Sequence, residues 1–321
     1  MADKPSRGLI LYGDGLARFI EPSHAHLHSL ASKANCGFLS LPNGPPSESE
    51  DDRIVREFAV LMDACEAYFN KNGQLSTEAK SQKSSLIPTM SERFMGMRAA
   101  LLTNSSSLKS FGGKLGFDVL HLDGLFENIN FPSAQSTDYL ASELLALLGF
   151  QEGRILNASQ FDLVIVHIGS GENLNAEKGK GTVGDMEFMN ALIGAIMLIA
   201  QPGTEIASRL YLSLIMGYGN VSRADDPGLS ILSHNYENDS PLSALFPQQS
   251  YTMRGESPRN DVRHYSPMLV AQYQNAVTRK DMVDTFSFED FKERSGNLII
   301  PADRLLHEMA FKLWKAPKYG A

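Results

Sequence analysis

The chain has 321 residues, enough for one large α/β domain or two smaller ones. It is 43% apolar and 21% charged, as expected of a soluble globular protein, and its net charge of −8 argues against broad nucleic-acid binding, which needs a basic stripe. The two cysteines, Cys36 and Cys65, lack metal-type spacing and read as reduced thiols. The opening MADKPSRGLILYGDG has no apolar region of signal length. The longest apolar run, Ala191 to Ala200, is too short to span a bilayer. The expected setting is the cytosol, with nuclear entry by diffusion.

Gly8 to Tyr12 reads as a short strand that breaks at Gly13-Asp14-Gly15. Ser23 to Lys33 has helical spacing with Ser23 as its expected N-cap. Gly37 to Leu41 is a second strand, and Pro42 to Asp52 an acidic, proline-rich loop. Ile54 to Tyr68 has helical periodicity, while Asn70 to Thr89 is polar and reads as a flexible segment. Glu92 to Leu102 is expected to be helical or mixed, Asn104 to Lys114 a helix opening after Ser105-Ser106-Ser107, and Phe117 to Leu122 a strand. Thr137 to Phe150 and Asp185 to Gln201 are helices on either side of the strongest strand, Phe161 to Ile168. Leu210 to Met216 and Ser266 to Tyr273 are further strands, and Ala302 to Trp314 a closing helix. Strands alternating with helices predict a three-layer α/β/α sandwich around a mostly parallel sheet, here as a single domain spanning 1–321.

Several constellations bear on chemistry. Asp14 sits where a strand ends, at the edge of a sheet where metals and phosphates bind, although Gly-Asp-Gly alone is more often a tight turn. His24, His26 and His28 resemble a metal comb, but on a helix only His24 and His28 share a face, and a partly exposed helix carrying histidines is the stronger reading. Ser47 and Ser49 lie in the acidic loop; a nucleophilic serine needs a metal or base beside it, and a solvated loop needs nothing. Ser105 and Ser106 could cradle an anion at a helix start, where plain N-capping is the simpler role. Arg254, Arg259 and Arg263 with His264 form a basic region that suits phosphate or carboxylate, or salt bridges to this acidic chain's own surface. Phe161 to Gly169 delivers His167 to a polar, glycine-rich loop whose carboxylate is Glu172. There is no GxGxxG after the first strand, no Walker loop and no GxSxG elbow.

The order of these pieces resembles the archaeal-type, cofactor-independent phosphoglycerate mutases of the alkaline phosphatase superfamily. The resemblance rests on the opening strand with GDGLAR, then SHAHLHSLASKANCGFLSL, LLTNSSSLKSFGGKLGFDVLHLDGLFENIN, FDLVIVHIGSGENLN, DMEFMNALIGAIM, and the tail from Asp281 through Phe286 to the final Gly-Ala. It covers most of the chain, and no single motif is specific. It implies an alkaline phosphatase-like fold with two metal ions, usually manganese or zinc, and a serine nucleophile that carries phosphate.

The sequence departs from that pattern. Asp14 matches the first metal aspartate, and Glu172 takes the place of the next. Ala176 falls where a histidine ligand belongs, and Gly217-Tyr218-Gly219-Asn220 where an Asp-His pair belongs. His264 lies near the last histidine ligand, and Ser47 or Ser49 near the nucleophile. Asp14, Glu172 and His264 would hold one ion at best, and a two-metal clamp needs roughly six to eight ligand atoms. The segment 70–90, where the family inserts a lid, is short and polar. The expectation is therefore a degenerate member without a cofactor, which binds a protein partner or a small phosphorylated ligand. The alternative is a phosphatase or phosphomutase-like enzyme, or a sulfuryl hydrolase, with one divalent metal. A third reading is an unrelated Rossmann-like binding protein.

Overall fold

The computed structural model describes residues 5–45, 47–65, 68, 88–121, 133–151, 153–156, 158–169, 181–221, 227–231, 253–254, 257–258 and 262–317. Among these, eight strands form one sheet. They are β1 (Arg7–Asp14), β2 (Asn35–Ser40), β3 (Ala99–Leu102), β4 (Asp118–Leu120), β5 (Leu163–Gly169), β6 (Leu210–Met216), β7 (Met268–Tyr273) and β8 (Asn297–Pro301). The spatial order is β8-β2-β7-β6-β1-β5-β3-β4. All neighbours run parallel except β7, which is antiparallel to both β2 and β6.

The helices are α1 (Ala25–Ala31), α2 (Glu50–Leu61), α3 (Met90–Arg93), α4 (Ser106–Lys114), α5 (Ser133–Leu147), α6 (Gly181–Ile199), α7 (Glu205–Arg209), α8 (Phe288–Arg294) and α9 (Leu305–Lys312). Strand alternation sorts the core into two layers. Leu9 and Leu11 of β1 pack into the layer covered by α1, α5, α6 and α8, whereas Ile10 and Tyr12 face α2, α3, α4 and α9. The expected three-layer α/β sandwich with a mostly parallel sheet is the observed architecture. No helix among the described residues is long and apolar enough to cross a membrane.

The differences from the sequence reading have local causes. The segment from Glu92 to Leu102 divides into α3 and β3, because Met95 and Gly96 take positive φ of 45° and 72° and end the helix before the apolar run Ala99–Leu102. The N-cap position of α1 is His24, not Ser23; its side chain makes no capping bond to the helix, and its Nδ1 instead accepts the Glu21 N–H at 2.8 Å. The segments α7, α8 and β8 were not expected as separate elements; α7 and α8 are short, and β8 joins the sheet at its edge. The polar segment 70–90 falls almost wholly outside the described residues.

The end of the sheet that carries β2 and β8 hangs on one carboxylate. Buried Asp281 accepts the backbone N–H of Cys36 and of Gly296, each at 2.8 Å, and the Arg279 Nε at 3.0 Å. Asp281→Ala leaves two amides without their acceptor, and unfolding in urea should show a loss of about 3 kcal/mol, against a few tenths for an exposed surface control such as Glu293→Ala.

Candidate functional site

β1 lies between β5 and β6, and its last residues form the carboxyl edge of the sheet at the centre of the molecule. Gly13 is required by proximity: a Cβ there would lie 2.5 Å from Met216 Sδ and 3.0 Å from the Leu16 side chain. Asp14 follows on the face turned to α2 and is 1% exposed.

α2 supplies the counter-charge. Its N-cap is Ser49, whose hydroxyl accepts the Asp52 N–H at 3.2 Å and donates to the Asp52 carboxylate at 2.7 Å. Starting there, the helix sets Glu50, Arg53 and Glu57 on one face at the i, i+3 and i, i+4 spacings that allow contact. The Arg53 guanidinium forks onto Asp14, with Nη1 to Oδ1 at 2.9 Å and Nη2 to Oδ2 at 2.6 Å. The same group donates to Glu57 at 3.0 Å and to Glu50 at 2.6 Å. Burial alone would lower the Arg53 pKa; its hydrogen bonds to Asp14 and Glu50 outweigh burial and raise it, so the cation is permanent.

The network continues inward. Glu57 is fully buried and meets Arg263 Nη1 at 3.2 Å and Arg56 Nη2 at 3.8 Å. Burial raises its pKa, and Arg263, Arg53 and Arg56 oppose that rise. Arg56 Nε donates to both Glu48 carboxylate oxygens, at 2.8 and 3.0 Å. Three buried guanidiniums, Arg53, Arg56 and Arg263, thus meet three buried carboxylates, Asp14, Glu48 and Glu57, with the half-exposed Glu50 at the margin.

His167 lies beside this network on β5, paired in register with Tyr12, their rings 5.3 Å apart. Its Nδ1 is 2.9 Å from Thr103 Oγ1, which also accepts the Ser105 N–H at 3.1 Å. Burial pushes its pKa down to about 4; Asp14 opposes this and Arg53 adds to it. The imidazole is neutral at pH 7.

The residues singled out from sequence take different places. Asp14 and Arg263 join one network through Arg53 and Glu57. Ser49 caps α2, and Ser47 is exposed in the turn before it. Ser105 caps α4 by accepting the Leu108 N–H at 3.3 Å, and Ser106 is exposed. Arg263, expected in an anion pocket, is turned inward to Glu57 and to the Ser266 carbonyl at 3.1 Å. The His264 side chain, expected beside Asp14, is exposed and makes no hydrogen bond or ion pair among the described residues, while its carbonyl accepts the Ile231 N–H. Arg254 lies in a two-residue strand paired with Ser257–Pro258. Glu172 and Arg259 lie outside the described residues, although β5 ends at Gly169, directly opposite Asp14.

Arg53, Arg56, Glu48 and Glu57 were missed. The signal was present: Ser49-Glu50-Asp51-Asp52 before an apolar run is a helix-start pattern, and it brings Arg53 inside the helix at contact spacing with Glu57.

A two-metal centre does not fit these residues. Both Asp14 oxygens accept hydrogen bonds from Arg53, and a divalent ion about 4 Å from that guanidinium would be repelled by about 8 kcal/mol at an effective dielectric of about 20. Among the described residues, no group of three or more His, Cys, Asp or Glu side chains is arranged to hold an ion.

No protein-family model and no curated protein sequence matches the chain. Solved structures do. The PH0037 protein from Pyrococcus horikoshii superposes with a TM-score of 0.54 at 13% identity, covering 99% of each chain. The chain shares that fold. The cofactor-independent phosphoglycerate mutase from Thermoplasma acidophilum DSM 1728 matches 97% of this chain and 100% of its own at 11% identity, with a TM-score of 0.46. A protein in the alkaline phosphatase superfamily from Vibrio parahaemolyticus matches 87% of this chain and 62% of its own at 12% identity, also with a TM-score of 0.46. At 13% identity the likeness to the PH0037 protein establishes fold and nothing about chemistry.

Two outcomes follow from this geometry. Arg53→Ala strands Asp14 as a buried anion and takes one of three guanidiniums from Glu57; it should cost about 3–5 kcal/mol in urea unfolding, while the double variant with Asp14→Ala should cost clearly less than the sum of the singles. His167 has a folded pKa near 4 against an ordinary 6.5, so its contribution is complete above pH 6.5 and is lost as pH falls from 6.5 toward 4. Relative to His167→Gln, the wild type should lose on the order of 3 kcal/mol across that window, read from urea curves at several pH values.

Proposed function

We propose that this protein is a metal-independent binding protein on an alkaline phosphatase-like scaffold, having exchanged two-metal phosphoryl transfer for recognition of a ligand or partner. The observation that carries this reading is the Asp14–Arg53 pair. The carboxylate that the sequence resemblance assigns to a metal is held by a side-chain cation at 2.6 and 2.9 Å. A permanent guanidinium supplies positive charge there, but it has no open coordination position and cannot lower the pKa of a bound water as a metal does.

The serines support the same reading. Ser49 spends its hydroxyl on the helix cap, bonded to the Asp52 N–H and carboxylate. A serine nucleophile needs an activating base or a metal and a free line of attack, and the Ser49 hydroxyl is occupied on both sides by the Asp52 N–H and carboxylate within its own cap. His167, the nearby imidazole, hydrogen-bonds Thr103 and is buried. The binding role extends to a protein partner or a small phosphorylated ligand in a cytoplasmic setting. Arg263 and Ser105 are already engaged within the fold.

The test is metal content and turnover of the purified full chain. Elemental analysis should find no stoichiometric manganese or zinc. Incubation with p-nitrophenyl phosphate and p-nitrophenyl sulfate, with and without added Mn²⁺ or Zn²⁺, should give no turnover above buffer. Two equivalents of tightly bound metal, with turnover abolished in Asp14→Ala, would overturn the proposal in favour of a surviving metal-dependent hydrolase or mutase.

A further inference from the structure

A second feature of the same sheet edge stands independently of the Asp14 network. On the opposite face, the turn after β1, the turn after β6, the start of β7 and the start of α8 line a half-open cavity of about 330 Å³. That lies within the range of small-molecule sites, roughly 300–1,000 Å³. The two turns are tied together: the Ala17 N–H donates to the Gly217 carbonyl at 3.0 Å, and the Gly217 N–H to the Gly13 carbonyl at 2.8 Å. The lining is mixed, with polar groups beside apolar side chains held in the core. Tyr218, Leu269, Phe286 and Phe288 line the cavity and belong to the packed core.

Its charged side chains are two, of opposite sign, and Ser287 adds a hydroxyl that lies 3.2 Å from the Thr285 hydroxyl. Arg18 lines the cavity and is exposed. Its Nε donates to the Tyr218 carbonyl at 3.1 Å, which fixes the plane of the guanidinium. Its two Nη groups make no hydrogen bond or ion pair among the described residues, so a planar fork is presented to whatever enters. Glu289 lines the same cavity, is exposed, and also has no hydrogen-bond or ion-pair partner among the described residues. The neighbouring charges are engaged elsewhere: Lys292 donates to the Ser230 carbonyl at 2.9 Å, and Asp290 accepts from Thr285 and Asp284 and pairs with Arg294.

We propose that this cavity binds a small zwitterion with an apolar body, of the α-amino acid class. Arg18 takes the carboxylate, Glu289 the ammonium, and the aromatic walls the side chain. The chemistry selects against the alternatives. A simple carboxylic acid would leave Glu289 unmatched. A phosphate dianion would gain one guanidinium and meet the Glu289 carboxylate. An amine alone would leave the Arg18 fork empty.

The test is isothermal titration calorimetry of the full chain with L-phenylalanine, L-leucine, 3-phenylpropionate, 2-phenylethylamine and phenyl phosphate. At least one of the amino acids should bind saturably at one site, and each singly charged analogue at least tenfold more weakly. Arg18→Ala should weaken amino-acid binding at least tenfold. Glu289→Gln should remove the preference for L-phenylalanine over 3-phenylpropionate. Both residues are exposed, so thermal midpoints should stay at the wild-type value and show that the variants are folded. Absence of heat with both amino acids up to about 10 mM would overturn the proposal. So would amino-acid binding unchanged in Arg18→Ala, equal affinity for 3-phenylpropionate, or tightest binding of phenyl phosphate. None of these results depends on the metal content or phosphatase assay.

Discussion

A carboxylate buried at the end of a central strand must be neutralised or protonated, and Asp14 is neutralised by Arg53. Charge removed from water costs several kcal/mol per ion, and only close, well-directed contacts recover it. Arg53 makes those contacts with both Asp14 oxygens, and its surplus donors reach Glu50 and Glu57. Glu57 in turn needs Arg263 and Arg56, and Arg56 needs Glu48. The position of α2 against the sheet, the course of the loop before it and the approach of the 262–266 segment are all conditions of one electrostatic balance.

The balance also explains the neighbours. His167 sits beside a fixed positive charge in a buried setting, and both influences disfavour its protonated form. An imidazole held neutral, hydrogen-bonded to Thr103, serves as a packing and hydrogen-bonding element between β3 and β5. Thr103 then accepts the Ser105 N–H, and Ser105 caps α4. The serine run that suggested an anion cradle is, at Ser105, the end of a chain of hydrogen bonds that starts in the sheet.

Much of the architecture was legible in the residues. Apolar runs such as Leu163–Gly169 and Leu210–Met216 are buried on both faces and announce central parallel strands. What escaped was short or non-local. The strand Asn297–Pro301 carries few residues and gains its identity only from pairing with β2. The site was half visible: Asp14 stood out because it ends a strand, whereas Arg53 and Glu57 looked like ordinary helix charges. Charged residues on a helix are usually solvated, and only the tertiary placement of α2 turns this face inward. A helix start taken at Ile54 hid the pattern; the Ser49 cap would have revealed it.

Among the described strands of the large sheet, β7 alone runs against its neighbours. Had β7 run parallel to β6, the residues before it would emerge at the opposite rim of the sheet. A six-residue strand spans about 20 Å, far beyond the length of any side chain. Because β7 runs backwards, its entry lies at the same rim as Asp14. Arg263 arrives just before the strand to close the charge balance on one face, and Leu269 arrives just inside it to wall the cavity on the other. One change of chain polarity thereby furnishes both sides of the rim from a stretch of seven residues, and couples the geometry of the two faces through a shared backbone.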